Sequence, residues 1–295
     1  MSFMNTSQKI AKAISQVSIF NQYHSLWQKN QTDINLNLSK FEKIMVGIHL
    51  ILTDYSNGVF PPTFNDQQKA YQAEINYRFS LPNVSALEVQ EAGMRKPFAF
   101  GKHGLNYLDS FAFCVKSLEK LGIVPPSKLL ELGCGTGWMS EFLAIMGFDV
   151  IGTSISPYDI EDSKTRIKSL EIKGIKANLQ FLTSPMESVS DVVGEQLFDS
   201  IFVFEALHHA YDWREAITSG YRCLKHGGWL IICNEPNVIH TCVSYRIARL
   251  SNTHEVGFKR SDLTNHLNLT KFTDIKILKN RTDYFIQPHW IAARK

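Results

Sequence analysis

Residues 131–140 read ELGCGTGWMS. Gly133, Gly135 and Gly137 stand two apart, behind a short apolar run over 128–132. Ahead of them lies a helical pattern in which Trp138, Phe142, Ile145 and Met146 share one face. A strand, a glycine loop and a helix in that order make a sharp turn. Glycine there lets a ligand approach the backbone more closely than a Cβ would permit. A dinucleotide-binding loop spaces its second and third glycines three apart and seats a pyrophosphate on the helix. Here the spacing is tighter, and Glu131 places a carboxylate beside the loop. A carboxylate repels pyrophosphate and suits a cationic group.

The pattern continues downstream. Apolar strands are expected at 149–154 (DVIGTS), 179–183, 199–204 and 229–234, with helical stretches at 157–172, 186–194 and 212–224 between them. Alternation of this kind predicts a parallel sheet covered by helices on both faces, a doubly wound α/β fold. Upstream, 106–121 reads as a helix stopped by IVPPS at 123–127. The tail, FTDIKILKN and then DYFIQPHWIAARK, reads as two strands joined by a short turn, with Pro288 at an edge or bulge.

Residues 1–100 have a different texture, rich in Gln, Asn and Ser, with helical spacing at Phe41, Met45, Ile48, His49 and Leu52. NGVFPPTF at 57–64, Pro82 and Pro97 break the helices. Two regions follow: 1–100, a helical region acting as a lid or substrate-pocket element, and 101–295, an α/β ligand-binding domain.

Composition narrows the function classes. Hydrophobic content of 44% and charged content of 20% are those of a globular protein. A net charge of +3, with lysines and arginines scattered, supports neither a nucleic-acid nor a membrane partner. Five cysteines without a CxxC pair argue against a disulfide framework or a metal site and for a reducing compartment. The N-terminus lacks the continuous apolar core of a signal peptide, and the run at 44–52 is too short to span a bilayer. A cytoplasmic location is therefore expected; oligomeric state is not legible.

The loop, FDSIFVFEALHHAYDWREAI, LKHGGWLIICNEPN and the terminal strands, in this order and spacing, resemble the class I S-adenosylmethionine-dependent methyltransferases over about 105–295. The resemblance implies a seven-stranded Rossmann-like sheet, parallel except for the C-terminal hairpin, and makes 101–295 the S-adenosylmethionine-binding domain. It implies that Gly133, Cys134, Gly135 and Gly137 cradle the methionine moiety and that Glu131 binds its amino group, directly or through water.

Two positions depart from the family. An Asp or Glu usually ends the second strand and grips the ribose hydroxyls; the aligned residue here is Ser154, beside Thr153. A neutral hydrogen bond in place of a charge-assisted one costs about 1–2 kcal/mol, or roughly tenfold in affinity. Where the family often has an adenine-binding Asp, Pro185 stands, leaving Ser184 and Met186 to cover the base.

In a doubly wound sheet the site lies outside the carboxyl ends of the strands. That places EALHHAYDW beside the cofactor and makes His208 and His209 the candidate bases. One of them capping or packing the next helix is the competing structural role. Glu205 supports the loop or lies near the adenosine. His254 with Glu255, in the long connection over 235–260, Tyr245 in that same segment, and His103 in KPFAFGKHG are candidates for the acceptor pocket. Trp138 is a candidate cofactor wall or a core residue.

The activity implied is methyl transfer to an oxygen, nitrogen or carboxylate of a small molecule: a natural product, a sugar-linked intermediate or a short peptide. The alternative is a non-catalytic S-adenosylmethionine-binding sensor or partner subunit, which the departures at Ser154 and Pro185 would suit.

Overall fold

The computed structural model describes residues 4–60, 66–254, 257–279 and 287–295, with the side chains of Lys102 and His103 also left undescribed. The first part of the chain folds into α1 (Thr6–Ser15), α2 (Ile19–Asn30), α3 (Lys40–Ser56), α4 (Gln67–Ile75), α5 (Tyr77–Ser80) and α6 (Ala86–Met94). Local chemistry starts three of them. Asn5, Ser39 and Ser85 each accept from the backbone three residues on, while Gln8, Glu42 and Glu88 reach back to the cap. Phe20, Tyr23, Trp27, Val46 and Leu50 pack together as the core of this part.

Seven strands form one sheet: β1 (Lys128–Leu132), β2 (Asp149–Ser154), β3 (Asn178–Thr183), β4 (Phe198–Phe204), β5 (Leu224–Glu235), β6 (Thr273–Ile277) and β7 (His289–Arg294). Their order is β3-β2-β1-β4-β5-β7-β6, with β7 running against the direction shared by the other six strands. The helix α7 (Lys102–Lys120) precedes β1, and between the strands lie α8 (Trp138–Ile145), α9 (Pro157–Ile172), α10 (Val189–Val193), α11 (Trp213–Cys223), α12 (Thr241–Ser251) and α13 (Arg260–Leu269). Side chains alternate across a strand, so the sheet feeds two cores. Leu130, Ile201 and Leu230 enter one core, while Leu129, Phe202 and Ile231 enter the other. The expected doubly wound, mostly parallel sheet is what the chain forms.

The strand order reverses at β1, which lies between β2 and β4. In such sheets the ligand crevice opens at this reversal, outside the carboxyl ends of the strands. Glu131 and Leu132 end β1 there, level with Gly152 and Thr153 of β2 and with Phe202 and Val203 of β4.

The antiparallel hairpin expected at the C-terminus is present in the pairing of β6 with β7, and residues 280–286 of the connection lie outside the described residues. Pro288 directly precedes β7, beside the register shift between β5 and β7 at Ile232 and Glu235. One expectation needs correction: the connection after β5 holds a helix, α12, which packs on α3. There Tyr245 donates to Asp54 Oδ2 (2.7 Å) and Arg246 to Asn30 Oδ1 (2.9 Å). Among the described residues no helix is long and apolar enough to cross a membrane.

Candidate active site

A cavity of about 860 Å³ opens where β1, β2, β4 and β5 end. Glu131, Ser154, Glu205 and Asn234 line its sheet side. Tyr71 and Glu74 of α4, Arg78 of α5, and Val89 and Gly93 of α6 form the facing wall. Ligand pockets fall within about 300–1,000 Å³, so a nucleoside-sized ligand with an acceptor beside it fits this volume.

The glycine loop builds the floor. Gly135 has φ +53°, and a Cβ placed there would meet nothing within 4 Å. This glycine lines the cavity and leaves its backbone open to a ligand. Gly137, also left-handed at φ +75°, has the opposite surroundings, because a Cβ there would run into the Phe181 ring. It is not on the cavity wall; it lets α8 start tight against β3. Cys134 is buried, and its amide donates to Thr153 O (2.7 Å), which fastens the loop to β2. Arg166 of α9 clamps the loop from behind. It donates to Thr136 O (2.6 Å) and Met94 O (3.1 Å) and pairs with Glu141 (2.6 Å).

Glu131 is almost wholly buried under the loop, with Ser140 Oγ donating to its carboxylate. Burial pushes its pKa up to about 7, with Ser140 and the more distant Arg166 pulling the other way. A cationic ligand group arriving here would favour the ionised form.

Ser154 ends β2 and lines the cavity, as the resemblance requires, and beside it stands a carboxylate that strand-end alignment did not reveal. Asp159, in the first turn of α9, holds its Oδ2 3.4 Å from Ser154 Oγ. Its Oδ1 pairs with Arg78 Nη2 at 2.9 Å, and burial raises its pKa against the pull of Arg78. Ser184 and Met186 also line the cavity; Ser184 N donates to Ser154 O (2.9 Å), and Met186 Cε packs over Gly133. Trp138 lines the cavity and packs in the aromatic core with Phe111, Phe142 and Phe204.

Glu205 sits just past β4 with a left-handed φ of +48°, accepting from Asn234 Nδ2 past the buried part of β5. Burial raises its pKa, and Lys96 offsets part of that rise. Backbone held in so uncommon a region for a non-glycine residue often accompanies a ligand site.

His208 and His209 both line the cavity, their rings 4.2 Å apart. His208 Nδ1 lies 2.8 Å from Oε2 of Glu235, a wholly buried residue at the end of β5. Glu235 also accepts from the amides of Ala206 (2.7 Å), Leu207 (2.8 Å) and His208 (3.3 Å). His209 Nδ1 is 3.3 Å from Glu74 Oε2, which joins this loop to α4. Reading along the chain missed Glu235 and Asp159, because only the fold brings them to His208 and Ser154. A carboxylate ending β5 immediately before a proline was the available signal for Glu235.

The acceptor-pocket candidates fall elsewhere. Tyr245 is fully buried against Phe60 and the α2–α3 core, its hydroxyl spent on Asp54, so it is a packing residue. His254 is not on the cavity wall; its backbone amide donates to Glu74 Oε1 (3.0 Å). Glu255 and the His103 side chain lie outside the described residues.

The chemistry of the lining fits S-adenosylmethionine. Glu74, Glu88, Glu131, Asp159, Glu187 and Glu205 face a cavity whose lining cations are Arg78 and Lys96, among the described residues. Such a surface favours a ligand that carries a sulfonium and an ammonium. The open backbone at Gly135 and the Ser154–Asp159 pair suit its amino-acid and ribose parts.

Comparison with known proteins agrees. Residues 130–232 match a family model described as a methyltransferase domain. The ubiquinone biosynthesis O-methyltransferase of Xanthomonas oryzae pv. oryzae is 30% identical over 108 residues, covering 36% of this chain and 42% of that protein. Matches to the curated relatives span about half of their length or less. Magnesium protoporphyrin IX methyltransferase from Synechocystis PCC 6803, solved with S-adenosylhomocysteine, shares the fold. Its TM-score is 0.56 at 18% identity, over 77% of this chain and 99% of that one. The CurJ carbon methyltransferase aligns over 94% of this chain and 71% of its own, with TM-score 0.54 and 15% identity. Residues 130–232 are thus a methyltransferase domain by their match, set in a sheet with the strand order and glycine loop that the resemblance to the class I S-adenosylmethionine-dependent methyltransferases implies.

Proposed function

We propose that this chain transfers the methyl group of S-adenosylmethionine to a hydroxyl oxygen of a small molecule, with His208 as the base. The observation that carries this reading is the His208–Glu235 pair. Three backbone amides donate to the Glu235 carboxylate, which fixes it as an acceptor beside the ring. Nδ1 of His208 is then the protonated nitrogen and Nε2 the basic one. A neutral amine or a carboxylate acceptor has little need of a base held this way, whereas a hydroxyl does. The first-named relative, an O-methyltransferase, is consistent with oxygen as the acceptor atom.

The cofactor, when bound, supplies an electrophilic methyl group on a sulfonium that departs as a neutral thioether. The glycine loop and Glu131 would hold its amino-acid end, and Ser184 and Met186 its base. His208 takes the acceptor's proton as its oxygen attacks, and Glu235 stabilises the imidazolium that results. The helices α4–α6 keep water from the site and hold the acceptor in line, which is where most of the acceleration in such a displacement arises. The domain division at about residue 100 and the lid role of the first helices belong to this proposal, supported by the residues that α4–α6 place on the cavity wall.

The test is transfer from methyl-labelled cofactor to a panel of phenols and aliphatic alcohols. His208→Asn should lower transfer about a hundredfold, the usual scale of base catalysis, while S-adenosylhomocysteine binds within about threefold of its normal affinity. Undiminished transfer in that variant would remove His208 from the mechanism. Tight binding with no alcohol labelled would favour the non-catalytic sensor instead.

A further inference from the structure

Ser154 ends β2 on the cavity wall and by itself offers a ligand's hydroxyls only a neutral acceptor. Resting on the cofactor reading above, we propose that Asp159 is the carboxylate that accepts from the ribose hydroxyls, and that Arg78 ties the helical cover to it. Cover and cofactor then stabilise each other through one side chain.

Three features of the geometry support the assignment. Asp159, Ser154 and Arg78 all line the cavity. The Asp159 carboxylate is reached by Ser154 on one oxygen and by Arg78 on the other. A carboxylate has about four acceptor sites, so room for a diol remains. Asp159 also sits in the first turn of a 16-residue helix whose cap, Ser156, accepts from the Asp159 amide (3.3 Å). Amide dipoles there favour a negative charge.

Its neighbour Asp162 separates the two roles of Arg78. Arg78 Nη2 lies 2.7 Å from Asp162 Oδ2, and Gln90 of α6 donates to the other oxygen. Asp162 is off the cavity wall, with its side chain 7% exposed against 29% for Asp159. Asp162 therefore anchors the cover, while Asp159 both anchors it and faces the ligand. Asp159 stands five residues beyond Ser154, on the helix that follows the strand.

The experiment is calorimetric titration of the full chain with S-adenosylhomocysteine and with its 2′-deoxy and 3′-deoxy analogues. In the unaltered chain, loss of a hydroxyl should weaken binding about tenfold or more, as for a charge-assisted hydrogen bond. In Asp159→Asn the parent ligand should bind about tenfold or more weakly, and the deoxy penalty should shrink to about threefold or less. Asp162→Asn loosens the same cover without touching the ribose, so it should keep the full deoxy penalty. A penalty of equal size in Asp159→Asn and the unaltered chain overturns the assignment alone. Failure of the unaltered chain to bind S-adenosylhomocysteine overturns the cofactor reading along with it.

Discussion

Glu235 and His208 come from different strand ends, and their carboxylate and Nδ1 meet at 2.8 Å in a place that solvent hardly reaches. The same carboxylate takes the amides of Ala206 and Leu207, so one side chain both shapes the loop after β4 and orients the ring. Its two duties respond differently to substitution.

Glu235→Gln keeps an oxygen for the amides but weakens the hold on the imidazolium. Methyl transfer should fall about tenfold to a hundredfold, with S-adenosylhomocysteine affinity little changed. Glu235→Ala leaves the buried amides unpaired as well, and thermal unfolding should report a loss of about 3 kcal/mol. Equal stability of the two variants would contradict the capping role.

Glu131 makes cofactor affinity depend on pH. Its folded pKa, raised by burial to about 7, falls when the ligand's ammonium sits beside it. Binding below that pH must therefore expel a proton, so affinity should climb from pH 6 towards 7.5 and then level off. The sign for stability is opposite. In the unliganded chain burial of Glu131 disfavours the charged form, so its contribution worsens as pH rises from the unfolded value near 4.5 to about 7. Titrations of S-adenosylhomocysteine in buffers of different ionisation heat measure the proton release directly, and Glu131→Gln should abolish it.

Gly135→Ala and Gly137→Ala test the loop's two kinds of glycine. The first puts a methyl group into open space on the cavity floor, so the fold should survive while cofactor affinity falls at least about tenfold. The second drives a methyl group into Phe181, so unfolding temperature should drop first. Reversal of the two outcomes would mean the loop is oriented differently.

Tyr245→Phe removes the hydroxyl that donates to the buried Asp54, leaving that carboxylate with Arg249 at 3.2 Å. Stability should fall by about 1–2 kcal/mol, with methyl transfer per folded molecule unchanged. A selective loss of activity would return Tyr245 to the acceptor pocket.

The fold was legible because its signals are local. The glycine loop, the apolar strands at 128–132 and 149–154 and the helix at 157–172 stand where periodicity places them. The helix α12 was not legible, because Arg246 and small polar residues interrupt its buried face and its packing partner α3 is remote in sequence. Of the cavity lining, residues next to motifs were readable: Glu131, Gly133, Cys134, Gly135, Ser154 and His208. Glu235 and Asp159 matter through partners 27 and 5 residues away, a distance that spacing rules interpret only within one helix. Tyr245 and His254 were placed by analogy of position alone, and burial of the one and the backbone bond of the other put them off the wall.

The clamp of Arg166 bears on how this chain could be shortened. One guanidinium grips the carbonyl of Thr136 in the loop and that of Met94 at the end of the last cover helix. A fragment starting at residue 105 would keep every glycine of the loop, every strand and the stretch over 130–232 that matches the methyltransferase family model. It would also lose the carbonyl that steadies Arg166 and the arginine that steadies Asp159. What lies outside the family match is, mechanically, the far half of the vice that grips the loop.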